Sequence, residues 1–144
     1  MDETTQQTER ERNAEALQDQ GLLWAQVGGI FGLIYNVGVG YMMFAIRCHY
    51  NDVCFADPYL LPFVTTTVAA ATILYFARKA RKRNSRRIST IVLIAAGTSL
   101  VAWFPYYTWG FFFVPQAVLM VLCVIGGYQL RVAANRLSSV GKTT

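Results

Sequence analysis

The chain has 144 residues, enough for one domain, and 54% of them are hydrophobic, with a mean hydropathy of +0.33. Only 15% are charged, against about 25% in a typical soluble protein. The net charge of +5 does not indicate nucleic-acid binding, because no segment outside the apolar windows described below is long enough to form such a domain.

Residues 1–21 are polar, with six acidic residues against two basic ones, and we interpret them as a cytoplasmic tail. This composition is the reverse of the basic start of a cleavable signal peptide, so the first span is expected to act as an uncleaved signal anchor. Residues 8–11, Thr-Glu-Arg-Glu, have the spacing of a helix capping box and predict a juxtamembrane helix over 9–20. This helix should bury little, because it carries only three apolar residues: Ala14, Ala16 and Leu17.

Three long windows, 22–46, 58–77 and 88–130, contain no Asp, Glu, Lys, Arg or His. A membrane-spanning helix needs about 20 apolar residues, so the first two windows hold one span each and the third holds two. We therefore predict an all-α integral membrane protein with four transmembrane helices in an antiparallel bundle. The transmembrane domain covers 22–134 and a short cytoplasmic tail covers 135–144, with spans at about 22–46, 58–77, 88–104 and 111–130.

Prolines and aromatic residues mark the ends of the predicted spans. Asp57 followed by Pro58 is a helix start signal, and Pro62 one turn later predicts a modest kink. Pro105 ends the third span, and Pro115 lies in the first turn of the fourth or marks its start. Four aromatic residues near the turn between these spans are typical of a lipid–water interface: Trp103, Tyr106, Tyr107 and Trp109.

The orientation follows from the basic residues near the span ends. Seven of them lie between the second and third spans: Arg78, Lys79, Arg81, Lys82, Arg83, Arg86 and Arg87. Arg131, Arg136 and Lys142 lie on the same side, and the other side carries only Arg47. We expect the protein to lie in the plasma (inner) membrane. The positive-inside rule then places both termini in the cytoplasm. The cluster of seven is also expected to attract anionic lipid head groups.

Cys48 and Cys54 flank five residues of the first outer loop, on the side where thiols are usually oxidised. We interpret them as a structural disulfide. A redox pair is disfavoured, because such chemistry favours the C-x-x-C spacing and Cys123 lies deep in the fourth span, away from both. A metal site formed by both cysteines with His49 and Asp52 is the remaining alternative, and we predict neither a metal nor a cofactor.

Gly28, Gly32, Asn36 and Gly40 recur at four-residue steps and form one stripe along the first span. A stripe without bulky side chains lets another helix approach closely. The two main alternatives are a packing face inside the four-helix unit and a docking face for another protein or a second copy; a cofactor groove is a minor one. Asn36 needs a hydrogen-bond partner at this depth.

No ionisable residue lies inside any predicted span, which argues against a proton-coupled transporter or a proton channel. Threonines such as Thr65 and Thr98 can bond to their own helix and usually indicate close packing. Three glutamines lie near enough to span ends to reach the interface: Gln26, Gln116 and Gln129.

Two functional hypotheses follow. The first is a non-catalytic accessory, assembly or regulatory subunit that acts by helix–helix contact with another membrane protein or with itself. The second is a small oligomeric transport or channel protein in which Asn36, Thr65 and Thr98 line the pore. A thiol-redox enzyme that uses Cys48 and Cys54 is a third and weaker reading.

Overall fold

The computed structural model describes residues 3–50, 60–83, 85–104 and 110–140, and within these ranges the chain forms four α-helices and no strand. Helix α1 covers Glu3–Tyr50, α2 covers Leu60–Lys82, α3 covers Arg86–Trp103 and α4 covers Gly110–Val140. The all-helical fold predicted from the sequence is confirmed. Asp57, Pro58 and the segment 105–109, which carries most of the aromatic group, lie outside the described residues.

Two helices extend well beyond the apolar windows. α1 has 48 residues and is therefore about 72 Å long at about 1.5 Å per residue. It includes the segment predicted as a polar tail, and the predicted capping box is wrong as a helix start, because Thr8 lies inside α1. α4 continues ten residues beyond the predicted end of the fourth span, from Leu130 to Val140.

The helices form a closed ring in the order of the chain, with α1 against α2, α2 against α3, α3 against α4, and α4 back against α1. α1 and α2 are antiparallel, because Gln18 contacts Ala80 whereas Asn36 contacts Thr66. α1 and α4 are also antiparallel, since Gly21 lies against Gly126 and Gly28 lies against Leu119. We call the end that carries residues 78–87 the basic end and the opposite one the far end.

The apolar core occupies the part of the bundle nearer the basic end. Its buried members come from all four helices: Leu22, Ala25, Ala70, Ile73, Ala77, Ala80, Ile88, Val92, Ala96, Met120, Cys123 and Leu130. Many are small, so the helices approach closely. Toward the far end the core stops at Ala70, Ala96 and Met120.

The outside of the bundle is apolar along the middle of every helix. Ile34, Val68 and Ile94, for example, are 61%, 59% and 62% exposed. Exposed apolar surface of this extent is unusual for a soluble monomer. α1, α2 and α4 are each long and apolar enough to cross a membrane.

Candidate functional site

Two members of the predicted stripe on α1, Gly28 and Gly32, pack against α4. A Cβ atom added to Gly28 would lie 2.6 Å from both the Cys123 Sγ and the carbonyl oxygen of Leu119. A Cβ on Gly32 would lie 2.8 Å from the Met120 Cε. At Gly28 one of the close atoms belongs to the backbone, so the absence of a side chain there is what allows α1 and α4 to touch. At Gly32 the close atom is the end of a flexible methionine side chain, which can shift.

The seam between α1 and α4 continues toward the basic end. A Cβ on Gly126 would lie 2.6 Å from the backbone nitrogen of Ala25 and 2.6 Å from the carbonyl oxygen of Gly21. The thiol of Cys123 donates a weak hydrogen bond to the carbonyl oxygen of Ala25 at 3.9 Å. The seam is therefore a backbone-to-backbone contact, and it closes the bundle interior on this side.

The other two members of the stripe, Asn36 and Gly40, face α2. The Thr66 hydroxyl lies 3.2 Å from the Asn36 Oδ1, and a Cβ on Gly40 would collide with the ring of Phe63. All four stripe residues thus pack inside the four-helix unit. Of the two main alternatives for the stripe, internal packing is the arrangement that the structure has.

At the far end of the apolar core, the bundle interior holds four buried polar side chains, and Pro62, one turn from Thr66 in α2, is buried as well. Asn36 and Gln116 are each only 2% exposed, and Thr66 and Ser99 are fully buried. Four of their polar atoms have no hydrogen-bond partner: Asn36 Nδ2, Ser99 Oγ, Gln116 Nε2 and Gln116 Oε1. Buried polar atoms are nearly always paired in proteins. We call Asn36, Thr66, Ser99 and Gln116 the polar layer.

The register of the helices places the polar layer within two adjacent turns. Because Gly32 lies opposite Met120, one further turn toward the far end brings Asn36 to the level of Gln116. Gly127 lies against Val92. Seven residues closer to the far end on each of these two helices, Ser99 is level with Met120. Ser99 is therefore about one turn nearer the basic end than Asn36 and Gln116.

The prediction that Gln116 reaches the interface is wrong. Gln116 is close enough along the chain to the predicted start of the fourth span to reach the interface. Its side chain, however, lies on the inner face of α4 and is buried in the bundle. Gln116 continues the inward-facing series of Met120 and Cys123 at helical spacing, and this was the signal that could have revealed it. The Gln129 Oε1 is also buried and has no partner.

Thr65 and Thr98 do not join the polar layer. Each hydroxyl donates to the carbonyl oxygen one turn back in its own helix, Leu61 for Thr65 and Ile94 for Thr98, both at 2.8 Å. Thr98 is exposed on the outside of the bundle. Asn36 and Thr98 therefore do not share a surface, as a common pore lining would require.

The basic residues form an exposed rim around the turn between α2 and α3. Residues 78–82 are helical, Arg86 and Arg87 begin α3, and all seven basic side chains are exposed. Ser85 caps α3, with its hydroxyl oxygen accepting a hydrogen bond from the Ile88 backbone nitrogen at 3.4 Å. The side chains face outward and are free to meet charged groups outside the bundle.

The first 18 residues of α1 that the structure describes form a helical extension at the basic end. Ala14 is 1% exposed, so the expectation that this segment buries little is wrong at that position. The Gln18 side-chain nitrogen donates to the carbonyl oxygen of Ala80 at 3.4 Å, which braces the extension against α2. Its acidic side chains are exposed: Glu9, Glu11, Glu15 and Asp19.

The side chains of both cysteines of the predicted disulfide lie outside what the structure describes. Cys48 lies in the last turn of α1, but its side chain, like that of His49, is outside what the structure describes, as are Asp52 and Cys54. The disulfide and its metal alternative therefore stay predictions.

Comparison with known proteins gives no match among protein families, curated proteins or solved structures.

Proposed function

We propose that the chain is an integral membrane protein that crosses the plasma (inner) membrane four times, with both termini in the cytoplasm. The exposed apolar residues along the middle of the helices support this, because lipid is the solvent that such a surface needs. The charged residues support it too, since the basic rim lies at one end of the bundle. That end is cytoplasmic by the positive-inside rule.

The fourth crossing is α3, which is short and begins with Arg86 and Arg87. α3 packs between α2 and α4 and is joined to α2 by a turn of three residues at the basic end. A helix so placed must run the length of the bundle toward the far end. If α2 and α4 cross the bilayer, α3 crosses it as well.

Within that membrane, we propose a non-catalytic role as an accessory, assembly or regulatory subunit. The observation that carries the proposal is the extension of α1, which continues as one helix from Gly21 back to Glu3, about 27 Å at about 1.5 Å per residue. It is braced at Gln18 and at Ala14, so it is held at a fixed angle to the bundle. A rigid, exposed acidic helix beside the membrane is a suitable contact surface for another subunit.

The basic rim contributes to the same role by fixing the height of the protein in the membrane. Each basic side chain near an anionic membrane surface is worth about 1 kcal/mol. The acidic side chains of the extension are repelled by the same surface. Attraction at the rim and repulsion along the extension together direct the extension away from the bilayer, where a partner can reach it.

The test is the composition of the complex after extraction from native membranes in mild detergent. The proposal predicts that one different membrane protein co-purifies in fixed stoichiometry, and that Glu9→Lys with Glu15→Lys reduces its recovery at normal yield of the chain itself. Val68→Leu is the matched control, because Val68 is exposed in the apolar zone and not on the extension. Recovery of the chain alone, as a monomer or homo-oligomer, would contradict the accessory role.

A second candidate, an oligomeric transport or channel protein, gains no support from the positions of its proposed lining residues. Asn36 is inside the bundle and Thr98 is outside it. The thiol-redox reading depends on Cys48 and Cys54, whose side chains lie outside the described residues. Neither reading is favoured by an observation of its own.

A further inference from the structure

The interior of the bundle changes character abruptly along its length. Nearer the basic end it is filled by the apolar core and closed by the backbone contacts of Gly21, Gly28 and Gly126. From the level of Met120 toward the far end it holds the polar layer, in which two carboxamide side chains lack hydrogen-bond partners for three of their four polar atoms. Packing alone does not require a glutamine at this place, because a methionine has nearly the same shape.

We infer that the polar layer is a binding site for the head group of an uncharged amphiphile that carries both a carbonyl oxygen and a hydroxyl group, as in a neutral glyceride. The inference rests on the membrane placement proposed above, which puts the layer in the hydrocarbon zone. It goes beyond the accessory role, since it assigns a ligand to the chain itself.

The chemistry of the unpaired atoms sets the class of ligand. Asn36 Nδ2 and Gln116 Nε2 are donors and need acceptor oxygens, which an ester carbonyl and a hydroxyl supply. Gln116 Oε1 is an acceptor and needs a donor, which only the hydroxyl supplies. Ser99 Oγ can take either role. A ligand with carbonyl oxygens alone would leave Gln116 Oε1 unpaired.

The ligand must also be neutral. The helical segments around the layer, residues 22–46 of α1, 60–77 of α2, 88–104 of α3 and 110–130 of α4, contain no Asp, Glu, Lys, Arg or His. A charged head group brought there would have no counter-ion, and burying an unpaired charge is far more costly than burying a hydroxyl. Fatty-acid anions and phospholipid phosphates are therefore excluded from the site.

The route of entry follows from which parts of the bundle are closed. The seam between α1 and α4 and the apolar core block the basic end, so the ligand enters from the far end or laterally from the bilayer there. Pro115, next to Gln116, has no backbone N–H and leaves the carbonyl oxygen of Phe111 without its helical partner. The second turn of α4 therefore lacks one helical hydrogen bond beside the polar layer.

The experiment measures binding of radiolabelled 1-monooleoylglycerol to the purified chain in maltoside micelles. We expect saturable binding of one molecule per chain, at least tenfold weaker binding of methyl oleate, which lacks the hydroxyl, and no binding of oleate anion. Gln116→Met and Asn36→Leu should each weaken binding at least tenfold. Gln26→Met, the same change at a half-exposed site outside the layer, should not.

Thermal unfolding of the ligand-free variants gives a second readout. Gln116→Met should raise the unfolding temperature, because it removes two unpaired buried atoms without changing volume. No saturable binding by the wild-type chain, or equal binding by Gln116→Met and Gln26→Met, would overturn the inference, and so would a lower unfolding temperature for Gln116→Met. These measurements use the purified chain alone and do not depend on a partner protein or on the orientation in the membrane. Their failure is therefore distinguishable from failure of the proposed function.

Discussion

The close contact between α1 and α4 predicts that Gly126→Ala destabilises the bundle. The added methyl carbon would lie 2.6 Å from two backbone atoms, the nitrogen of Ala25 and the carbonyl oxygen of Gly21. Backbone atoms cannot rotate away, so the helices must separate by almost 1 Å to reach ordinary contact at about 3.5 Å. Overpacking of this kind costs about 1–3 kcal/mol, while alanine in place of glycine regains up to about 1 kcal/mol of helix propensity.

The matched control is Gly38→Ala in α1, where nothing lies within 4 Å of the added carbon. This variant has only the propensity gain, so it should be as stable as the wild type or slightly more so. The two variants should therefore differ by about 2 kcal/mol, or about thirtyfold in the unfolding equilibrium. Helical circular dichroism during titration with sodium dodecyl sulfate measures this difference. Equal stability of Gly126→Ala and Gly38→Ala would refute the close seam.

The remaining predictions concern other parts of the chain. Mass spectrometry without reduction should find the peptide that carries Cys48 and Cys54 lighter than its reduced form by two hydrogen atoms, and free thiols at both positions would contradict the disulfide. Thr66→Val removes the hydroxyl beside Asn36 and should destabilise the bundle by about 0.6–1.7 kcal/mol, whereas Thr98→Val on the exposed face should be neutral; equal effects would contradict the buried contact. Arg81→Gln with Lys82→Gln should weaken binding of phosphatidylglycerol about fivefold per charge, with phosphatidylcholine unchanged, in native mass spectrometry; unchanged phosphatidylglycerol binding would contradict the lipid-binding rim.

The presence of four helices could be predicted from the sequence, because long apolar windows without charge are a simple signal. These windows located the apolar part of each helix, and Pro105 and the basic cluster separated neighbouring helices. The internal packing of Gly28 and Gly32 was one of two main alternatives. The sequence could not choose between them, because a close-packed face and a docking face need the same small residues.

Helix length and side-chain direction were harder to predict. The polar segment before Gly21 has no apolar window, yet it is held in α1 by one buried alanine, Ala14, and by the contact of Gln18 with Ala80. A buried alanine and a single hydrogen bond cannot be recognised from the amino-acid composition of the segment. The prediction for Gln116 was wrong because it used only the position of the residue along the helix and not the face of the helix on which the residue lies. Which face is buried depends on the neighbouring helices.

The central claim is that all four helices cross the membrane, with the basic end in the cytoplasm. The most direct measurement is the location of reporter fusions or single accessible labels at Asp52, Asn84, Tyr107 and Gly141. We predict that positions 84 and 141 are cytoplasmic and that positions 52 and 107 are on the opposite side. Finding position 107 on the same side as position 84 would mean that α3 does not cross the membrane, and would contradict the four-span arrangement.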